Sequence, residues 1–187
     1  MTQQEFLSFI DFVGRLRTTY RHCWSVDGRR ESVAEHSHRL AFMPMLLKDE
    51  FPDINLDKVT KMCLIHDLGE GITGDIPAFM KTDKQESDEM DLLSQLITSL
   101  PKNISAELHE LFDEMNALET KEAKLYKALD NLEALISHNE SDLSTWLPVE
   151  YLDMLTYGED KVAWSDWLIE LRKQINDITR EKIANEN

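Results

Sequence analysis

Glycine, proline and cysteine are scarce in this sequence, whose 187 residues include six glycines, five prolines and two cysteines. So few cysteines exclude a disulfide scaffold, and Cys63 lies inside an apolar run, so we expect both thiols to be free and structural. No apolar stretch approaches the roughly 20 residues that span a bilayer. The N-terminus also lacks the basic and apolar regions of a signal peptide. These absences predict a cytoplasmic protein with no membrane partner.

Positive charge is also in short supply. Twenty lysines and arginines stand against 36 aspartates and glutamates, which gives a formal net charge of −16. A protein that binds nucleic acid needs a basic surface to neutralise phosphates, so this balance excludes nucleic acid as the main partner. It remains compatible with a small anionic substrate that is held by a few local cations and a metal ion.

Sustained alternation of apolar and polar residues, which marks half-buried strands, is missing, and the apolar spacing is helical nearly everywhere. We therefore expect an all-α fold, a compact bundle of several helices. The length suits a single domain over residues 1–187, with a core over about 6–138 and C-terminal helices over about 148–184 packed on it. The apolar stripe of the first helix is expected to contain Phe6, Phe9, Ile10, Val13 and Leu16.

Local signals predict where the next two helices begin and end. Ser32-Val-Ala-Glu35 has the pattern of a capping box, and it starts a helix that is expected to reach about Lys48. Pro44 lacks an N–H group and crowds the preceding turn, so it should kink that helix. Asn55 is a fitting N-cap for a third helix, expected over Leu56–Leu68.

Polar side chains stand where the helical pattern favours apolar ones. His66 and Asp67 end the apolar run of the third helix, Asp130 interrupts a long helix expected over Thr120–His138, and His36 follows the capping box. Burying such groups without partners costs several kcal/mol, whereas imidazole nitrogen and carboxylate oxygen are the usual ligands of Mn, Fe, Co and Zn. Taken singly, each residue is equally consistent with a paired or capping group. The set of four predicts a metal site.

The ordered pattern of these histidines and aspartates resembles that of the HD-domain metal-dependent phosphohydrolases. Three segments, Glu31-Ser-Val-Ala-Glu-His36, His66-Asp-Leu-Gly-Glu70 and Thr73-Gly-Asp-Ile-Pro77, resemble the small HD-domain 5′-deoxynucleotidases. The resemblance spans roughly residues 6–138. It implies a homodimer with one divalent metal ion (Mn, Co, Fe or Zn) that removes the 5′-phosphate from deoxynucleoside monophosphates. It also implies the metal ligands, which are His36, His66, Asp67 and Asp130.

The same resemblance implies catalytic roles for Glu70 and Asp75, which fall on two acidic positions that these enzymes use for catalysis and substrate recognition. Glu70 follows Asp67 by about one helical turn, so it can act on a water at the metal or protonate the leaving oxygen. A glutamate at a surface helix end is the alternative. Asp75 can accept a hydrogen bond from the deoxyribose 3′-hydroxyl or the water, and a turn or capping role is its alternative.

Cations and aromatic rings for the substrate are expected near the same segments. Arg21 lies where one branch of the deoxynucleotidases uses an arginine on its substrate, and Lys81 is a second candidate. That branch follows its arginine with a tryptophan, whereas here His22 and Cys23 come before Trp24. Stacking on the base therefore falls to Trp24 or His22, or is absent.

Other functions remain open at this point. A general nucleotidase or a guanosine-tetraphosphate hydrolase would use the same fold, although a hydrolase of longer phosphate chains needs more cations. A di-iron oxygenase needs further histidine and aspartate ligands, for which the sequence offers no candidates. A non-catalytic metal-binding interaction module is the alternative from another class, but it has no need of both Glu70 and Asp75.

Overall fold

The computed structural model describes residues 1–77 and 80–185. It confirms the expected compact all-α fold, with a small two-stranded sheet added to the helices. None of the helices in the described part of the chain has the length and apolar character needed to cross a bilayer. The helices are α1 (Gln3–Gly14), α2 (Val33–Phe42), α3 (Leu56–Ile65), α4 (Glu70–Thr73), α5 (Asp83–Thr98), α6 (Lys102–Ala117), α7 (Lys121–Glu140), α8 (Glu150–Thr156), α9 (Glu159–Val162) and α10 (Asp166–Ala184).

The sheet is an antiparallel hairpin of β1 (Tyr20–Trp24) and β2 (Arg30–Ser32). It was not expected from the sequence, because strands this short show too little alternation to reveal a period. The pairing is irregular between its two ends, where Tyr20 faces Ser32 and Trp24 faces Arg30. The hairpin packs on α7 and buries Cys23, so tertiary contacts rather than local pattern hold these strands.

Helix α7 is the centre of the domain and is buried on several faces. Helices α2, α3, α6 and α10 all pack against it. The C-terminal helix α10 joins the main apolar core through Leu168 and Ile175. A second, smaller core under α1 includes Phe12 and Leu16. Because α7 is enclosed in this way, several polar groups on it, among them Asp130 and Glu133, lie in the interior of the protein.

Both predicted N-caps are present. The Ser32 hydroxyl accepts from the Glu35 N–H at 3.3 Å, and the Glu35 carboxylate accepts from the Ser32 N–H at 2.9 Å, which completes the capping box of α2. The Asn55 side chain accepts from the Lys58 N–H at 3.1 Å and starts α3. These caps fix the first turns of the two helices that lead into the candidate site.

The predicted ends of these helices are wrong. Helix α2 stops at Phe42 and a separate 3₁₀ turn covers Pro44–Leu46, so proline ends the helix instead of kinking it. Helix α3 stops at Ile65. The chain then continues in tighter i to i+3 turns until α4, where the Glu70 N–H donates to the Asp67 carbonyl at 3.1 Å.

The predicted buried stripe of α1 is also wrong in part. Phe6 and Ile10 are 52% and 49% exposed, whereas Phe12 and Leu16 are buried. The buried contacts of this region therefore lie at the C-terminal end of α1 and just after it, and the earlier turns are exposed. Its apolar residues surround much of the helix, so their spacing alone does not select the buried face.

Candidate active site

The structure brings the four predicted metal ligands together. His36 comes from the first turn of α2, His66 and Asp67 from the turns after α3, and Asp130 from α7. The Nε2 atoms of His36 and His66 are 3.1 Å apart. Asp67 Oδ2 lies 3.0 Å from His66 Nε2, and Asp130 Oδ1 lies 3.3 Å from His36 Nε2. Three packed elements that are distant in sequence thus aim nitrogen and oxygen atoms at one point.

Hydrogen bonds on the far side of each ring orient the imidazoles. The Nδ1 of His66 donates to the Cys63 carbonyl at 2.9 Å, and the Nδ1 of His36 contacts the carboxylate of Glu133. With the ring protons held on Nδ1, both Nε2 lone pairs point inward at two carboxylates. Four acceptors that converge in this way repel one another unless a cation lies among them, so the donor set fits a divalent metal.

The electrostatics of the cluster favour positive charge at this point. Burial alone would lower the pKa of His66, but the charges of Asp67 and Asp130 outweigh it and raise the pKa to about 10. Burial opposes ionisation of Asp67, yet the neighbouring His66 prevails and lowers the pKa of Asp67 to about 2. In the metal-free protein, protons supply the charge that a cation would otherwise bring.

Glu70 and Asp75 lie beside this cluster, on the wall of a cavity of about 520 Å³. Burial, together with the charges of Asp67 and Asp75, raises the pKa of Glu70 to about 9, so this carboxyl group holds a proton at neutral pH. Asp75 follows Gly74, whose φ of 81° lies in the region that favours glycine. The Asp75 carboxylate accepts from the backbone N–H of His22, and burial raises its pKa.

The two predicted substrate cations also reach the cavity, but each already has acidic partners. Arg21 Nη1 lies 3.0 Å from Glu31 Oε2 and 3.3 Å from Glu133 Oε2. Lys81 Nζ lies 3.1 Å from Glu89 Oε1. Their charge is therefore partly balanced before any ligand binds, and an incoming anion would share these cations with the carboxylates.

Trp24 is not brought to this cavity. It stands at the far end of β1, where the guanidinium of Arg30 lies over its ring at 5.8 Å from the centroid. Of the described β1 residues that line the cavity, His22 is the one with an aromatic ring. The expectation that Trp24 contacts substrate thus has no support from the shape of the site.

Two residues of α7 belong to the site and were missed from the sequence. Lys127 Nζ lies 2.8 Å from Asp130 Oδ2, and Lys127 lines both the main cavity and an adjoining one of about 470 Å³. Glu133 is fully buried and holds His36. A signal was available, because Lys127, Asp130 and Glu133 are charged residues spaced by three within the leucine- and alanine-rich middle of α7, hence on one face.

Comparison with known proteins identifies the family to which a chain with this site belongs. A family model described as an HD domain matches residues 13–167. A human protein named 5′-deoxynucleotidase HDDC2 is 33% identical over 141 residues, which are 73% of this chain and 68% of the relative. A 5′-deoxynucleotidase named hdd1 from Schizosaccharomyces pombe is 31% identical over 192 residues, with 93% of each chain covered.

The fold has a similar solved structure as well. A crystal structure from Magnetospirillum magnetotacticum MS-1, named a predicted metal-dependent phosphohydrolase, superimposes with a TM-score of 0.76. The two chains are 29% identical, and the match covers 97% of this chain and 95% of the other. Similarity over nearly the whole length includes all the elements that carry the four converging side chains.

Proposed function

The chain belongs to the HD-domain family, and on that premise we propose that it is a metal-dependent 5′-deoxynucleotidase. Such an enzyme is a phosphomonoesterase that removes the 5′-phosphate from deoxynucleoside monophosphates. The observation that carries the proposal is the convergence of two imidazoles and two carboxylates beside a cavity that also exposes Glu70 and Asp75. The 5′-deoxynucleotidases among its relatives support the substrate class.

His36, His66, Asp67 and Asp130 would hold one divalent ion, which we propose to be Mn, Co, Fe or Zn. Mixed imidazole and carboxylate ligands suit these cations. When bound, such an ion neutralises phosphoryl charge and lowers the pKa of water at the site. The ring hydrogen bonds to Cys63 and Glu133 keep the ligand set oriented in advance.

Glu70 serves as the general acid or general base of the reaction. Its buried carboxyl group lines the cavity, and its Oε2 has no hydrogen-bond partner among the described residues. In its protonated form it can donate to the leaving 5′-oxygen, and in its ionised form it can orient or deprotonate the attacking water. Burial first, and then the charges of Asp67 and Asp75, raise its pKa to about 9 in the metal-free protein, and a cation at the ligands would favour the ionised form.

The charge of the cavity favours a substrate with a single phosphate. Arg21, Lys81 and Lys127 are the lysines and arginines among the described residues that line it, and each is paired with a carboxylate. Acidic residues outnumber them in the same wall. A monoester phosphate can share these cations with a metal ion, whereas each added phosphate would bring charge with no further cation to meet it.

We propose that Asp75 distinguishes the sugar of the substrate. Its carboxylate is held by the His22 N–H on a turn whose positive φ Gly74 permits and whose backbone Pro77 restricts, so its position is fixed before substrate binds. A rigid acceptor beside the sugar can bond the 3′-hydroxyl and leave little room for a 2′-hydroxyl. Rejection of that kind is worth about 1–3 kcal/mol, or roughly 10–100-fold in kcat/KM.

A phosphate-release assay with varied metals and substrates tests this function. The chelated protein is restored with Mn, Co, Zn or Mg and given deoxy- and ribonucleoside monophosphates, a triphosphate and guanosine tetraphosphate. We expect no release without metal, and release mainly from deoxynucleoside monophosphates after restoration. Preference for the triphosphate or the tetraphosphate would assign another HD hydrolase. Metal binding with no release from any substrate would favour the non-catalytic module.

A cytoplasmic location and a homodimeric assembly remain predictions. The first is supported by the scarcity of cysteine in the sequence, and the second by the family resemblance alone. Light scattering coupled to size-exclusion chromatography measures the assembly directly. A mass of one chain, 21.8 kDa, would contradict the homodimer.

A further inference from the structure

A second group of metal-type ligands lies apart from the four residues described above. His22 of β1, His138 of α7 and Glu150 at the start of α8 bring three donor atoms within 4.8 Å of one another. Glu150 Oε1 is the shared centre: it lies 3.1 Å from His22 Nε2 and 3.0 Å from His138 Nε2. We call these three residues the His22 cluster.

Its internal geometry repeats that of the HD ligands. The Nδ1 of His138 donates to the Ala134 carbonyl at 3.0 Å, just as the Nδ1 of His66 donates to Cys63. A neutral His138 therefore turns its Nε2 lone pair towards the Glu150 carboxylate, and two acceptors at that distance need a cation between them. Tetrahedral ligands about 2.05 Å from zinc are roughly 3.3 Å apart, close to the separations observed here.

Burial and access both suit a bound ion. The side chain of Glu150 is 1% exposed, and a carboxylate so deep in a protein needs compensating charge. Its other oxygen accepts from the Leu147 N–H at 2.6 Å, which fixes the group and leaves Oε1 to face the rings. His22, His138 and Glu150 also line the 520 Å³ cavity, so an ion and a water ligand can enter from that side.

We propose that the His22 cluster is a second metal site, one that takes a borderline divalent cation such as Zn²⁺ through two imidazoles and a carboxylate. This ion would be additional to the single one at the HD ligands. His138 follows Asp130 by eight residues on α7, which puts the two centres roughly 12 Å apart along that helix. The second ion would fasten the hairpin, α7 and α8 to one another, three segments that meet only through tertiary contacts.

Metal stoichiometry of the full chain tests the site. Chelated protein is equilibrated with Zn²⁺ alone, and bound metal per chain is measured by mass spectrometry of the elements, with circular dichroism as the check on folding. We expect about two Zn²⁺ in the wild type and about one in each of His22→Gln and His138→Gln. The exposed His38→Gln is the matched control and should keep both. The Zn²⁺-induced rise in thermal midpoint should shrink in the two cluster variants.

Further variants separate this site from the HD centre. Asp130→Asn should lose the other ion and keep that of the His22 cluster, and combining it with His138→Gln should abolish Zn²⁺ binding. One Zn²⁺ in the wild type would overturn the proposal, because a proton shared by His138 and Glu150 would then supply the charge. Two Zn²⁺ retained in a folded His22→Gln would overturn it equally. Because His22 is a partly exposed strand residue, this variant still provides the test if His138→Gln fails to fold. Asp130→Asn with unchanged stoichiometry would instead contradict the ligand set of the HD centre.

Discussion

At the scale of single residues, one buried carboxylate links the metal ligands to the cations around them. Glu133 contacts His36 and also accepts from Arg39 Nε at 2.6 Å and Arg21 Nη1 at 3.3 Å. These cations, together with His36, outweigh the effect of burial and lower the pKa of Glu133 to about 2. The carboxylate thus stays ionised, and it can hold the His36 ring with its Nε2 lone pair facing the site.

Replacing Glu133 with glutamine should therefore weaken metal binding. Partners of this kind are worth about 10–100-fold in metal affinity, and we expect a loss in that range for Glu133→Gln. Glu140→Gln is the matched control, because Glu140 also pairs with Arg39 but is 45% exposed. Competition with a chelator measures both affinities. Equal affinities in the two variants would mean that Glu133 serves only to balance the arginines.

Glu70 is expected to matter for turnover and not for metal content. Glu70→Gln keeps the shape of the side chain but cannot exchange a proton, so we expect kcat to fall by about 10²–10⁴-fold. Glu86→Gln is the control, since Glu86 lines the same cavity from an exposed position on α5. Phosphate release at saturating substrate, with metal content measured in the same samples, makes the comparison. Near-normal turnover in Glu70→Gln would leave Glu70 as a structural residue.

At the scale of elements, the sequence is most informative where local chemistry decides the structure. The caps at Ser32 and Asn55 were predicted from short-range rules and are present. The end of α3 was predicted too late, at Leu68, because the sequence offers no helix-breaking glycine before Gly69, whereas the chain tightens after Ile65. The hairpin that carries Arg21 was missed for the same kind of reason, since long-range packing forms it.

The candidate site likewise has features that the local sequence identifies and features that depend on long-range packing. His36, His66, Asp67 and Asp130 could be named because each is a polar residue at a position where the helical pattern favours an apolar one. Their distances and the contact from Glu133 depend on how helices pack, which the local pattern does not determine. Trp24 shows the limit, because it follows Arg21 by only three residues, yet it lies at the far end of β1, where Arg30 covers its ring, and does not line the cavity.

The cap of α2 should affect the site as well as the stability of the fold. Ser32→Ala removes the hydroxyl that accepts from the Glu35 N–H, and loss of such a cap costs about 0.5–2 kcal/mol of stability. His36 lies in the first turn, directly after Glu35, so we expect weaker metal binding too. Thr2→Ala removes the equivalent cap of α1, which carries none of the ligands, and should lower stability alone. Urea unfolding and metal titration of both variants distinguish a local effect from a general one.

At the scale of the whole molecule, buried carboxyl and imidazole groups of the metal-free protein remain protonated at neutral pH. The pKa of Glu70 is raised to about 9, and that of His66 to about 10, whereas the unfolded chain releases these protons near pH 4.5 and 6.5. Between about pH 6.5 and 9 the folded state therefore binds more protons than the unfolded state. Stability should fall as pH rises through this window, by up to about 1.4 kcal/mol per pH unit for each proton.

This pH dependence gives a test that involves no substrate. We expect the thermal midpoint of chelated wild type to fall from pH 6.5 to 9, and that of Glu70→Gln to fall less steeply because the proton of Glu70 is absent. Saturating metal should flatten the curve, since metal binding displaces protons from its ligands and grows tighter as pH rises. If the thermal midpoints of wild type and Glu70→Gln changed with pH in parallel, Glu70 would not be protonated in this pH range.

The acidic surface and the paired cations of the cavity both restrict the substrate to a small anion that a metal ion helps to hold. We propose that this anion is a deoxynucleoside 5′-monophosphate whose sugar contacts Asp75. The most direct test is kcat/KM for phosphate release from matched deoxy- and ribonucleoside 5′-monophosphates by the metal-restored protein. We expect the deoxy substrate to be favoured about 10–100-fold, with the preference reduced in Asp75→Asn. Equal values for the two sugars, or release that persists after the metal is removed, would contradict it.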